Sequence, residues 1–306
     1  VDDVPEPVPG EGEQLVDVRY VSVNPLDVWV SQGRTGQQPL PFVPGVEAVG
    51  TVGGQLVLVN GSGVGTAREG VYRERAVVPS LAVTKLPPGA DPKQAAAMGV
   101  AGVTSWRVVH ELAKVSAGDR VLVMGASGGV GSVILQLAKL AGAVVWGQTS
   151  SADKAGLVKE LGADEVIVAD ADQLAAAAAR LEPTVVTDPL GGGFTGAAIE
   201  AMAANGRLVI FGTSADGVGQ LNLRSYYNKG LTMMGYRGLS ATEEQRRAAL
   251  EHVLAELTTG RLHVHIDAVL SLDQAAEAHR RIVDKDVRGK ILLSVGNWEP
   301  TIQTVG

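Results

Sequence analysis

Apolar and polar side chains alternate over residues 15–23, the two-residue period of a strand with one buried face and one polar face. Similar runs at 48–52, 55–59 and 72–78 are separated by glycine turns such as Gly53-Gly54 and Gly61-Ser62-Gly63, so the first third reads as β-rich. Pro87-Pro88-Gly89-Ala90-Asp91-Pro92 is the clearest punctuation, and a helix is expected from near Lys93 through Trp106 to Leu112. From Asp119 short apolar runs alternate with segments of helical period, which predicts a parallel sheet covered on both faces. Its strands are expected at 121–124, 143–147, 165–168, 184–188, 207–211 and 231–235. Helices fall between the first five, and the alanine run 175–179 among them is simply a good helix former. The last strand is expected after a loop, 212–228. A long amphipathic helix over 242–259 and short strands near 264–270 and 290–295 then return the chain to its first domain. The expected organisation is a discontinuous β-rich domain of residues 1–97 and 239–306, with an α/β domain of residues 98–238 inserted as a doubly wound parallel sheet of six strands.

One stretch carries candidate chemistry. Val121-Leu122-Val123-Met124 is a buried strand that runs into Gly125-Ala126-Ser127-Gly128-Gly129-Val130-Gly131, after which Val133, Ile134, Leu137 and Ala141 continue at helical spacing. Strand, glycine turn and helix in that order form a dinucleotide-binding turn, where main-chain N–H groups and the positive helix end face a pyrophosphate. Ala126 replaces the first glycine of the usual pattern.

Composition narrows the partners. A formal net charge of −7 and 4% aromatic residues argue against a nucleic acid. The charge-free run 121–138 is broken by Ser127, Ser132, Gln136 and glycines, as suits a buried strand and helix rather than a membrane span. With no cysteine there is no disulfide, thiol nucleophile or cysteine-held zinc. Val1-Asp2-Asp3 is neither a basic signal-peptide start nor an initiator methionine, so a cytoplasmic protein whose chain begins further upstream is expected.

Six segments together resemble the medium-chain dehydrogenase/reductase superfamily, in its zinc-independent, zeta-crystallin-like quinone oxidoreductase branch. They are Val23-Asn24-Pro25-Leu26-Asp27, Pro44-Gly45-Val46-Glu47-Ala48-Val49-Gly50, Gly102-Val103-Thr104-Ser105-Trp106, Ala126 to Gly131, Phe211-Gly212-Thr213-Ser214 and Gly289-Lys290-Ile291. The resemblance implies a Rossmann domain inserted in a GroES-like domain, pairing as a homodimer across the edge strand 231–235. The positions where zinc-dependent members hold their catalytic metal match Asn24, Val46 and Val100; two of these have no donor atom, so no zinc is expected. His263 and His265 share a strand face with no further ligand and are not expected to bind a metal.

The resemblance also implies a nicotinamide ring in the cleft between the domains, beside Asn24, Thr104, Phe211, Gly212, Thr213, Tyr236 and Lys290. Asn24, assigned to positioning in the cleft, equally reads as a turn residue before proline, and Thr104 as a helix-start residue. Asp27 and Glu47 read as more structural than chemical, and Arg207 as a cap on the helix before the fifth strand. No carboxylate follows the second strand of the α/β domain, where an NAD site carries one. Thr149 stands there, and Ser150, Ser151 and Lys154 suit a ribose 2′-phosphate, so NADP(H) is the expected cofactor. The same residues also read as a hydroxyl-rich cap and a solvated first helical turn.

Without a metal or a histidine–serine relay, hydride transfer to an electron-poor acceptor is expected, a quinone or an α,β-unsaturated carbonyl (an enone or alkenal). Tyr226, Tyr227, Tyr236 and Trp29 are available to line such a site. Two alternatives stand beside this reading. One is an enoyl-thioester reductase, to which Arg34 and Arg237 would contribute a basic mouth; the other is a non-catalytic NADPH-binding protein.

Overall fold

The computed structural model describes residues 5–36 and 38–296; the chain start at Val1-Asp2-Asp3 and residues 297–306, assigned above to the β-rich domain, lie outside them. Along the chain run β1 (Glu13–Val23), α1 (Pro25–Ser31), β2 (Glu47–Val52), β3 (Gln55–Asn60), β4 (Arg75–Pro79), β5 (Val83–Lys85), α2 (Pro92–Ala96) and α3 (Gly99–Trp106). The α/β part follows as β6 (Arg120–Val123), α4 (Gly129–Leu140), β7 (Val144–Thr149), α5 (Ala155–Glu160), β8 (Glu165–Val168), α6 (Ala171–Ala178), β9 (Val185–Asp188), α7 (Gly192–Ala201), β10 (Arg207–Ile210), α8 (Leu223–Asn228), β11 (Thr232–Gly235) and α9 (Glu243–Thr258). The chain closes with β12 (Ile266–Ser271), α10 (Ala275–Val283) and β13 (Lys290–Ser294). It divides into two compact units, one of the residues before Ala101 and after His265, the other of Ala101–His265.

In the first unit a mixed sheet runs β12-β13-β1-β2-β3-β5, with β4 also paired to β1. The long alternation of β1 lets it pair with β13, β2 and β4, all antiparallel. Val16, Val18, Val21, Val57, Val59, Ala76, Val78, Ile291 and Leu293 form its core. Gly53 and Gly54, at φ of +55° and +82°, make the two-residue turn that sets Val52 opposite Gln55.

The second unit is a six-stranded parallel sheet in the order β11-β10-β9-β6-β7-β8. Its strands reverse their direction of progression between β6 and β9, and open α/β sheets bind ligands beyond the strand ends at such a switch point. Leu122, Met124, Leu174, Val186, Ile199 and Leu208 are buried against its helices. The strand expectations for this sheet agree with the structure to within one or two residues.

Several expectations are corrected. The single helix expected over 93–112 is α2, a break, then α3 continuing into a π-helical turn at Arg107–Leu112. The break places Gly99 where any Cβ would overlap the Glu47 carboxylate. The loop 212–228 contains α8, capped by the Asn222 side chain, which accepts the Arg224 N–H at 3.1 Å. Tyr72 lies before β4, its N–H bonded to the Pro44 carbonyl at 3.0 Å. Arg207 caps no helix and instead pairs with Asp119. Residues 239–265 group with the α/β unit rather than the β-rich one. The His252 ring of α9 stacks on Trp106 of α3 at 4.2 Å, and Gln136 of α4 exchanges two hydrogen bonds with the His263 main chain, at 2.9 and 3.0 Å.

Candidate functional site

In the second unit the glycine turn leaves β6 at the switch point. Gly128 is the N-cap of α4, so the first amides of the helix have no intrahelical partner. A Cβ on Gly131 would overlap the Gly125 carbonyl oxygen, which makes glycine obligatory where the helix folds back over the turn. Ala126 fits because its methyl lies over Gly147 of β7, a strand position that itself leaves no room for a side chain. The Ser105 hydroxyl donates to the Val130 carbonyl at 3.0 Å.

Gln148, not singled out from the sequence, fastens this turn from the end of β7. Its Oε1 accepts the Gly125 N–H at 3.0 Å, its carbonyl accepts the Ala126 N–H at 2.9 Å, and its Nε2 donates to the Ala169 carbonyl at 2.8 Å. A buried amide that spans two loops is a rigid support. Thr149 is buried and its hydroxyl lies 3.2 Å from that of Ser127, within the turn rather than beyond it. Ser150 is exposed, while Ser151 and Lys154 are half-buried around a single 3-10 turn, Ala152–Lys154.

Beyond β9, Asp188 organises the next loop. One oxygen accepts the Leu190 and Gly191 N–H groups at 2.7 and 2.9 Å, and the other accepts the Thr195 hydroxyl at 2.6 Å. Burial pushes its carboxyl up, against those three donors. The Phe211-Gly212-Thr213-Ser214 turn hangs on this loop through Ser214 N–H to the Pro189 carbonyl at 3.0 Å, and Phe211 N–H bonds the Asp188 carbonyl at 2.9 Å. Thr187 is buried in β9, and among the described residues its hydroxyl has no hydrogen-bond partner.

Thr104 and Tyr236 come together beside Arg107, whose guanidinium lies 5.2 Å from the Tyr236 ring centre and 2.7 Å from Glu111. Among the described residues the buried Tyr236 hydroxyl has no well-formed hydrogen bond; burial raises its pKa, and the nearby arginine opposes the rise.

The first unit holds Asn24 and Lys290, and the structure joins them. Lys290 Nζ donates to Asn24 Oδ1 at 2.6 Å and to Glu47 Oε1 at 3.1 Å, and Asn24 Nδ2 donates to the same Glu47 oxygen at 2.8 Å. The Val100 N–H donates to the second Glu47 oxygen. Asp27, fully buried, accepts the Asn24 and Val46 N–H groups at 2.7 and 3.1 Å and the Tyr72 hydroxyl at 3.4 Å. Tyr72 lies 3.2 Å from His279 of α10. Burial pushes the Asp27 carboxyl up to about 7, with the Glu47 charge adding to the rise and the Asn24 amide and Lys290 opposing it. Burial also raises Tyr72 and lowers His279. Asp27 and Glu47 are therefore the anchors of the Asn24–Lys290 pair, a connection across 266 positions of sequence.

The chain is similar to known proteins along most of its length. Residues 10–88 match the alcohol dehydrogenase GroES-like domain and residues 129–255 the family described as zinc-binding dehydrogenase. A quinone oxidoreductase of Sus scrofa is 30% identical over 303 residues, covering 95% of this chain and 92% of that protein. Among solved structures, an NAD-dependent alcohol dehydrogenase superposes with a TM-score of 0.87 at 29% identity, over 96% of this chain and 95% of that one. A mycobacterial protein complexed with NADPH superposes with a TM-score of 0.86 at 26% identity, over 96% and 94%.

Proposed function

Since the chain belongs to the quinone oxidoreductase branch of the medium-chain dehydrogenase/reductase superfamily and is an oxidoreductase, we propose that it transfers hydride from NADPH to a quinone or an α,β-unsaturated carbonyl without zinc. The observation that carries this reading is the glycine turn at the sheet's switch point, where Gly131 leaves room for the closely folded helix start and Gln148 holds the turn in place. Bound NADPH supplies the hydride, and the protein supplies alignment and exclusion of water.

The pyrophosphate would lie against the turn formed by Ala126, Ser127, Gly128, Gly129, Val130 and Gly131, within which the Ala126 and Gly128 amides already bond the Gln148 and Gly125 carbonyls, and the 2′-phosphate against Ser150, Ser151 and Lys154, with Thr149 bracing Ser127. Thr104, Phe211, Gly212, Thr213 and Tyr236 would meet the nicotinamide end. Titration should show NADPH binding about tenfold or more tighter than NADH, and equal affinities would overturn the phosphate assignment. The absence of a zinc requirement is supported by Val46 and Val100, whose main-chain amides bond Asp27 and Glu47 and whose side chains have no donor. Turnover should survive dialysis against a chelator.

We also infer a homodimer across β11, which lies at the end of the strand order with Met233, Tyr227 and Leu223 exposed near it. Sedimentation should give about twice the chain mass of 31.6 kDa; a lone particle of that mass would overturn the dimer.

A further inference from the structure

We propose that Asp188 is a positioning residue for the nicotinamide end of the coenzyme: its carboxyl group fixes the loop after β9, and that loop fixes the turn 211–214 against which the ring would lie. All of these residues belong to the second unit. The inference rests on the hydride-transfer reading and adds to it the residue that sets the ring's place.

Asp188 closes β9 and is fully buried. A carboxyl group is tolerated there only if its oxygens are engaged. A helix cap accepts amides from inside the first turn of its helix. Asp188 instead accepts the N–H groups of Leu190 and Gly191, which precede α7, and reaches α7 only through the Thr195 hydroxyl. The N-cap of α7 is Gly191, whose position has no side-chain cap. Asp188 therefore holds the loop 189–191 rather than the helix end. Gly191 and Gly192, at φ of +72° and +55°, carry the chain out of that loop and into α7.

The loop's carbonyls bond the next turn. That of Pro189 accepts the Ser214 N–H at 3.0 Å and the Ser214 hydroxyl at 3.1 Å, and that of Leu190 accepts the Ala215 N–H at 2.9 Å. The two segments approach so closely that a Cβ on Gly212 would stand 2.8 Å from the Pro189 carbonyl oxygen, and one on Gly191 would overlap the Asp216 carbonyl oxygen. On its other flank the loop meets the glycine turn, where a Cβ on Gly125 would stand 3.1 Å from the Pro189 ring. The loop is thus wedged between the turn assigned to the pyrophosphate and the turn assigned to the ring. Ser150, Ser151 and Lys154 follow β7, which β6 separates from β9 in the sheet. A loosened loop should therefore misplace the nicotinamide and leave the adenosine half where it was, and hydride transfer depends on that placement.

The test compares NADPH with adenosine 2′,5′-bisphosphate, which carries the 2′-phosphate but no nicotinamide. Asp188→Ala should bind the bisphosphate as the wild type does and NADPH about tenfold more weakly, with the fluorescence of the bound ring less polarised. Asp188→Asn keeps an oxygen for the two loop amides and an NH2 group for the Thr195 oxygen, so it should recover most of the loss. Thr195→Val leaves the loop amides paired and frees only the second carboxyl oxygen; it should weaken NADPH about threefold and the bisphosphate not at all, and it decides the matter if Asp188→Ala does not fold. Equal weakening of both ligands would make Asp188 a support of the whole unit, and unchanged NADPH binding would show that the turn keeps its place without it; either result overturns the proposal. Failure of the wild type to bind the bisphosphate or NADPH would instead overturn the coenzyme reading.

Discussion

Replacing Gly131 by alanine is expected to weaken NADPH binding by about a hundredfold, the loss of roughly 3 kcal/mol. The new Cβ would overlap the Gly125 carbonyl oxygen and stand 2.9 Å from its carbon, and both are main-chain atoms with no rotamer to escape into. Relief requires the first turn of α4 to move away from the turn after β6. That movement withdraws the helix-start amides from the phosphate oxygens, and hydrogen bonds to a charged partner are worth about 1.5–3 kcal/mol each. Because Gln148 holds Gly125 and Ala126 to the end of β7, the displacement falls on the helix side. Gly156 of α5 is the control: a Cβ there meets nothing within 4 Å, so Gly156→Ala should bind NADPH normally and melt slightly higher, as expected for alanine in a helix. Fluorescence titration of both variants, with circular dichroism to confirm folding, decides the matter. Wild-type affinity in Gly131→Ala would place the coenzyme away from this turn.

The parts of this architecture that were legible in the sequence share a physical origin. Parallel strands in the middle of the sheet appear as short apolar runs between turns, and the edge strands β8 and β11 continue the same alternation with helices, so β6 to β11 could be drawn before any coordinates. Short elements could not. α8 has six residues and α1 seven, too few for helical period to declare itself, and β5 has three; tertiary contacts rather than propensity hold them. The amphipathic helix α9 was legible, but its side of the division was not, because that depends on the His252–Trp106 stack and the Gln136–His263 bonds.

The candidate site divides in the same way. Its glycine turn is local and has a local signature, whereas Gln148 is an ordinary amide at a strand end until the loops it bridges are known. Asp27 and Glu47 were read as structural. That description is incomplete, since Glu47 holds both Lys290 and Asn24 and Asp27 holds the Asn24 main chain. A single sequence carries no signal for a partnership between its opening strand and its last one.

Asp27 makes that cluster pH-sensitive, and wild-type stability is expected to fall by about 4 kcal/mol between pH 4 and pH 8 through this residue. Its carboxyl rises from an ordinary 3.8 to about 7 in the folded protein, chiefly because the site is dry. Between those values the folded state binds a proton that the unfolded chain has released, so ΔG of unfolding decreases as pH rises and levels off above about 7. The sign is opposite to that of a salt-bridged aspartate. His279 and His110, both lowered by burial, act in the other direction, since their contribution is lost as pH falls through their folded values. Comparison with Asp27→Asn separates the terms. The amide cannot ionise, yet its NH2 group would face one of the two main-chain N–H donors of Asn24 and Val46, where the protonated carboxyl still presents a second oxygen, so the variant should be about 1–3 kcal/mol less stable at pH 4.5. At pH 8 the wild type alone bears the cost of a buried charge, and the difference should shrink by about 3 kcal/mol, bringing the two level or reversing their order. Urea unfolding of both proteins at the two pH values measures it directly. Parallel curves, with the same gap at each pH, would mean that Asp27 stays ionised throughout and that its donors outweigh its burial.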